Sequence, residues 1–342
     1  MKSVKYFLVV ITAGVIAGCA PGGGGAKRLL TVDFQKGQTL KYKFASVRNM
    51  SVDWGQGHEL TARGGRVNSF LDSMGLVVSY TPVDVDPYGV TTIRAVCEKA
   101  EVRHDESIHN QIQPDAAESF SGKTWTFTVD ATGRIVDSSE LRDVIRLAGK
   151  KAFRADTSRG LIKEPDMIYD FIAMQWFLWD SISSIKKPLE GVRKGEQWKS
   201  RLSVPSPMFL FTARDVNYTL AEIRQEPNEG RIAVINSSYS PFYPTPSEWP
   251  LPYTETFQMS GMFGFLRGYK VLDLQGSGQE FFNIDAGRIE RSNQQWTMHV
   301  SASLPLELGP KPQITIKQTL TMEMVEPAST KTNPAPVKKP GH

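Results

Sequence analysis

Leu40-Lys41-Tyr42-Lys43-Phe44 decides the fold class, because apolar side chains stand at every second position with lysines between them. A strand sends successive side chains to opposite faces, so this run buries Leu40, Tyr42 and Phe44 and leaves the lysines to water. Trp125-Thr126-Phe127-Thr128-Val129 repeats the scheme. Ile232-Ala233-Val234-Ile235, Val271 to Leu274, Trp296 to Val300 and Ile314-Thr315-Ile316 carry it toward the C-terminus. The chain is therefore expected to be α+β and predominantly antiparallel β.

Working outward, helical periodicity replaces the alternation only between residues 137 and 187. Asp137 followed by Glu140 has capping-box spacing and opens a segment with Leu141, Val144, Ile145 and Ala148 on one side. Glu164-Pro165-Asp166 then puts proline at a first turn. From there Ile168, Phe171, Ile172, Gln175, Trp179 and Ile182 follow at 3.6-residue spacing. Met167, Met174, Trp176 and Phe177 make this second helix apolar nearly all round, which predicts a helix buried between layers.

Two signals recur in order. Lys36-Gly37-Gln38-Thr39-Leu40-Lys41 is echoed by Lys194-Gly195-Glu196-Gln197-Trp198-Lys199, and Phe127 to Ile135 (with Asp130, Gly133 and Arg134) by Phe282 to Ile289 (with Asp285, Gly287 and Arg288). The separations, 94 residues from Lys36 to Asp130 and 91 from Lys194 to Asp285, agree closely enough to suggest duplication. The expected layout is two related β lobes, 27–136 and 188–326, with the helical segment 137–187 between them. Asp and Gly in the second signal suit a tight turn.

The ends differ from the body. Lys2 and Lys5 precede an apolar run from Tyr6 to Ile16, of signal-peptide length and short for a bilayer span. The run ends in Ile16-Ala17-Gly18-Cys19, which resembles the lipobox of bacterial lipoproteins. That resemblance implies a signal peptide over 1–18, lipidation of Cys19 and anchoring through several acyl chains. It also implies an exported protein, on the periplasmic face of the outer membrane if the organism has two membranes. Residues 19–26 then read as the lipidated cysteine and a glycine-rich tether. Residues 327–342, with four prolines and few large apolar side chains, read as a disordered tail.

Net charge narrows the partners. The formal +4 falls to about +2 once residues 1–18, with two lysines and no acid, are removed. Lys331, Lys338 and Lys339 in the tail supply the rest, so the body is close to neutral and no nucleic-acid partner is expected. With Cys19 lipidated, Cys97 has no disulfide partner; it shares a period-two face with Ile93 and Ala95, the pattern of a buried structural thiol.

The search for chemistry yields little. His104-Asp105-Glu106-Ser107-Ile108-His109 spaces its histidines five apart, about 140° out of phase on a helix, which disqualifies the zinc-protease motif and leaves a solvated polar connection. Nucleophile elbow, phosphate loop and paired-cysteine knuckle are missing from the sequence, and Gly276-Ser277-Gly278 has no helix after it. No catalytic residue, metal or cofactor is expected. Tyr239 to Tyr253, with five prolines and five aromatics, is the most unusual loop, suited either to plugging the sheet edge or to docking a partner.

The leading functional expectation is a non-catalytic envelope lipoprotein that binds a hydrophobic ligand or envelope component, with Ile168, Phe171, Ile172, Trp176 and Trp179 as ligand-facing residues. In outline it looks like lipoproteins that use a curved sheet and helices as a lipid cradle, though no residue motif carries the comparison. The alternative is an assembly protein that docks a protein or cell-wall partner through Phe242, Tyr243, Trp249 and Tyr253. A third reading is a hydrolase using paired carboxylates. An apolar cavity beneath residues 164–185 would favour the first, a solid core with an exposed aromatic strip the second, and convergent carboxylates in a cleft the third.

Overall fold

A computed structural model describes residues 26–55, 67–104, 114–206, 210, 212–227, 229–243, 249–305 and 311–325. Residues 1–18, Cys19, residues 20–25, His58, His109, residues 244–248 of the Pro-aromatic loop and residues 326–342 lie outside the described residues, and with them the expected signal peptide, lipidation site and disordered tail. The first half of the chain builds β1 (Leu40–Asp53), β2 (Val67–Val85), β3 (Thr91–Arg103), β4 (Thr124–Val129) and β5 (Ile135–Asp137). The middle builds α1 (Ser139–Lys151), β6 (Phe153–Asp156), β7 (Gly160–Lys163), α2 (Ile168–Phe177) and α3 (Asp180–Ser183). The second half builds β8 (Gln197–Ser203), β9 (Ala213–Glu226), β10 (Gly230–Phe242), β11 (Gln258–Met259), α4 (Gly261–Phe265), β12 (Arg267–Asn283), β13 (Arg288–Ser303) and β14 (Gln313–Val325).

Eleven strands form one antiparallel sheet in the order β5-β4-β3-β2-β1-β14-β13-β12-β10-β9-β8. The predominance of antiparallel β is as the alternation predicts. The two β runs are flanks of a single sheet, because the last strand, β14, lies between β1 and β13 and pairs with both. Along β1, Leu40, Tyr42, Phe44, Met50 and Val52 are buried, while Lys43, Val47 and Asn49 face water.

The repeat has a geometric counterpart. From the centre, β1 to β5 follow one another outward; from the opposite edge, β8, β9, β10, β12 and β13 follow one another inward, so the strand order within each run is the same. Gly37 and Gly195, which precede the first strand of each run, have φ of 83° and 82°, in the left-handed region that glycine enters without penalty. Their amides donate to equivalent strands, Gly37 to Pro82 O on β2 at 2.8 Å and Gly195 to Leu220 O on β9 at 2.7 Å. The two later hairpins diverge in detail. Asp130 organises its own turn by accepting from Thr132 N at 2.8 Å, whereas Asp285 pairs with Arg231 and Asn283 takes over the turn.

Three helical expectations need correction. α1 starts at Ser139 with Ser138 as N-cap, and no capping box forms. Asp137 instead accepts from Ser139 N, and Glu140 accepts from Thr126 N on β4. The second helix breaks after Phe177 into α2 and α3, because Trp179 turns away to pack edge-on against Phe34 and Tyr80. The β6–β7 hairpin, paired with β11 in a small second sheet, interrupts the expected helical segment.

α2 lies inside the curl of the large sheet. Ile168, Phe171, Ile172 and Ala173 have no solvent exposure, and Phe171 stacks on Phe120 with ring centroids 3.6 Å apart. Ile168, Phe171 and Ile172 each contribute roughly 1.5–3 kcal/mol of burial. Its one charged side chain, Asp170, meets the buried Arg48 of β1, accepts from Ser46 at 2.7 Å and accepts from Gln318 of β14, tying the helix to the two central strands. Cys97 is buried, and burial pushes its thiol up to about 12, as a structural cysteine requires.

Candidate functional site

The two edge strands of the sheet come round α2 and α3 far enough to line one cleft. Gly133, Arg134 and Ile135 enter it from the β4–β5 turn, and Ser200, Arg201 and Leu202 from β8. Gln175, Trp176, Trp179 and Asp180 form its floor, and Trp249 closes it from the Pro-aromatic loop. The cleft has a volume of about 320 Å³, at the small end of the range for small-molecule sites. Arg134 Nη2 donates to Ser183 O at 3.2 Å and so holds the first edge against α3.

The hydrogen bonding of the floor is incomplete. Tyr80 OH donates to Gln175 Oε1 at 2.7 Å, which fixes the amide and leaves Nε2 a buried donor without an acceptor. Trp179 Nε1 and Trp249 Nε1 are also buried and have no partner among the described residues. Three donors thus belong to residues that line one cleft, beside three indole rings; Trp176 and Trp249 lie 5.9 Å apart by centroid. Asp180, the one carboxylate lining the cleft among the described residues, is held by Ser200 Oγ and Tyr218 OH, both at 2.8 Å, and burial raises its pKa.

Sequence-predicted residues divide sharply here. Trp176 and Trp179 line the cleft, while Ile168, Phe171 and Ile172 are packed in the core with no exposed surface. An apolar opening beside Met174, Phe177 and Leu178 has a volume of about 30 Å³, room for about one water and not for an acyl chain. Of the loop aromatics, Trp249 and Tyr253 are buried; Tyr253 OH donates to Asp166 Oδ2 at 2.6 Å, and Trp249 packs on Trp176 and Phe177. Phe242 is half-buried under Arg201, and Tyr243 alone is exposed. Trp249 and Tyr253 thus pack against α2, β6 and the segment before α2, and only Phe242 covers the β8 edge. Gln175 and Gly133 were missed as lining residues, because their meeting depends on the curl of the sheet.

His104 is a second correction. In place of a solvated connection, its ring is buried, with Nδ1 2.7 Å from Asp72 and Nε2 2.7 Å from Asp115. Asp115 also accepts from Met167 N at 3.3 Å, just ahead of α2. Burial alone would lower the imidazole pKa, but hydrogen bonds to Asp115 and Asp72 outweigh it and hold it at about 9. A folded pKa above the unfolded value of roughly 6.5 contributes stability that is complete below pH 6.5 and lost as pH rises through 9. Replacing His104 with Gln is expected to remove about 2–3 kcal/mol at pH 7 and much less at pH 10, as measured by urea unfolding at both.

A larger hollow, about 800 Å³, is an open saddle where Asn49, Gln275, His299 and Lys317 meet Tyr239 and Trp296 across β1, β10 and β12 to β14. It combines two rings with polar side chains, and what separates it from the seam cleft is its wider, shallower mouth.

No family model matches the chain, and no curated protein matches it. A solved structure described as "lipid-protein interactions in lipovitellin" matches with 8% sequence identity and a TM-score of 0.38, over 86% of this chain and 25% of that one. The chain spans about a quarter of the length of that protein, and the likeness is a loose one of fold.

Proposed function

We propose that this protein is a lipid-anchored binding protein of the cell envelope, with Cys19 as the acylated residue. The seam cleft would hold a molecule or envelope component that combines an apolar face with hydrogen-bond acceptors. The observation that carries this reading is a cleft of about 320 Å³ that brings Trp176, Trp179 and Trp249 together with Arg134, Gln175 and Asp180, where Gln175 Nε2, Trp179 Nε1 and Trp249 Nε1 have no acceptor among the described residues. A buried donor without an acceptor costs about 1–3 kcal/mol, and because these three nitrogens have essentially no accessible surface, a ligand oxygen would reach them only through a side-chain shift at the cleft wall. The indole faces suit an apolar ring or short chain laid against them. A full acyl chain beneath α2 is a poorer fit, given the small void there.

Native mass spectrometry of the mature protein, purified from the envelope under mild conditions, tests the reading. A bound species that is released on unfolding and lost in Trp176→Ala, with the circular dichroism spectrum preserved, is the expected result. A clean apo mass, together with no shift in melting temperature on adding envelope extract, would overturn it.

A further inference from the structure

The chain enters the fold at a corner that is both basic and apolar. Arg28 and Val192 exchange both backbone hydrogen bonds, at 2.9 and 2.8 Å, which lays Lys27, Arg28 and Leu29 alongside Gly191, Val192 and Arg193. Lys27 and Lys187 both reach Glu190, at 3.4 and 2.8 Å. Between them Leu189 projects from a single 3-10 turn, Pro188–Glu190, with 87% of its surface exposed, and Leu29 is 53% exposed. Lys186, Arg193 and Lys194 are exposed around them. Residues 26–30 and 186–196, which build this corner, carry six cations, Lys27, Arg28, Lys186, Lys187, Arg193 and Lys194, against two acids, Glu190 and Glu196.

A single exposed leucine on a protein surface is ordinary. Two leucines inside a ring of cations, next to the point where the chain leaves the fold, form a different pattern. At a bilayer surface apolar side chains enter the headgroup boundary and cations meet lipid phosphates, each cation strengthening partition by about fivefold on an anionic membrane.

We propose that this corner is the face on which the folded body rests against an anionic phospholipid surface. The proposal rests on reading Cys19 as the acylated anchor. Seven residues carry the chain from Cys19 to Ala26, and at full extension they reach about 25 Å, so an acylated Cys19 keeps the corner within that distance of the bilayer. Charge complementarity selects an anionic surface over a zwitterionic one.

The test uses the chain from residue 19 onward with Cys19→Ser, which removes the acyl chains and keeps the whole sheet and core. It is sedimented with phosphatidylcholine vesicles that contain or lack phosphatidylglycerol. Expected is binding to the anionic vesicles only, weakened by high salt, weakened more than about twentyfold in the triple variant Lys186→Gln/Lys187→Gln/Leu189→Ser, and unchanged in Phe265→Ser at the far end of the sheet. Equal sedimentation of parent and triple variant, or no preference for phosphatidylglycerol, overturns the corner. The N-terminal peptide mass of the wild-type chain reports separately on Cys19. A corner that fails beside an acylated Cys19 sinks this proposal alone, whereas a corner that binds beside an unacylated Cys19 sinks the anchor and leaves the corner standing.

Discussion

Asp170→Ala is expected to lower the free energy of unfolding by about 3–5 kcal/mol, the largest loss foreseen for any single polar substitution in this fold. Removing the carboxylate takes from the Arg48 guanidinium, which has essentially no exposure, its paired counter-charge, and leaves Asp72, its cross-strand neighbour already engaged by His104, as the other carboxylate close by. It also strips Ser46 and Gln318 of their shared acceptor. Arg48 Nε and Nη1 have no acceptor among the described residues even with Asp170 in place, so its removal adds to donors already unsatisfied. Guanidinium unfolding followed by tryptophan fluorescence would measure the loss. The double variant Arg48→Met/Asp170→Leu separates the causes: removal of both charges should restore most of the stability, because the penalty comes from the orphaned charge. If the double variant is as unstable as Asp170→Ala, the network serves packing and not charge compensation.

The second large effect has the opposite sign. Burial pushes the Glu280 carboxyl up to about 8, against which the hydrogen bond from Ser181 works only in part. Glu280 therefore folds in its protonated form, and its contribution is most favourable below the unfolded pKa of about 4.5 and lost as pH rises toward 8. Relative to wild type, Glu280→Gln should gain about 3 kcal/mol of stability between pH 4.5 and pH 7.5, since each unit of pKa difference is worth about 1.4 kcal/mol. The gain is read as a difference between the two pH profiles, so any fixed penalty from the added amide donor cancels. Parallel profiles would mean that Glu280 is ionised in the folded protein.

Both groups show how far the sequence can be read. The sheet was legible at Leu40 to Phe44 and at Trp125 to Val129, because alternation is a local property and the core needs it. The burial of α2 was legible for the same reason: a helix apolar on every side has nowhere else to go. Asp170 in that helix was not legible as a clasp, since its partners lie on β1 and β14, more than a hundred residues away in either direction. His104 failed similarly, with Asp72 and Asp115 supplied by elements that sequence spacing does not connect.

The candidate site was half legible. Trp176 and Trp179 stood out as large rings on a helix, but Gln175, Gly133 and Ser200 are unremarkable residues that matter only because the two edges of the open sheet approach one cleft. The break at Trp179 was hidden by unbroken helical periodicity, and it took the aromatic cluster of Phe34, Tyr80 and Phe127 to override it. The β6–β7 hairpin is too short, and too mixed in burial, to show a period.

The position of β14 sets an order of assembly. β1 pairs with β2 along its whole length, Phe44 opposite Leu76, and on its other side with β14, Phe44 opposite Met322. A chain emerging from its N-terminus therefore completes β1 to β5 early and leaves the far side of β1 with unpaired amides and carbonyls until nearly the whole protein has been delivered. An open strand edge of that length is a template for intermolecular pairing, and contacts of such high sequence separation form slowly. The central seam of the sheet is thus the last to close, and truncation within β14 would expose the edge of β1 as a site of aggregation.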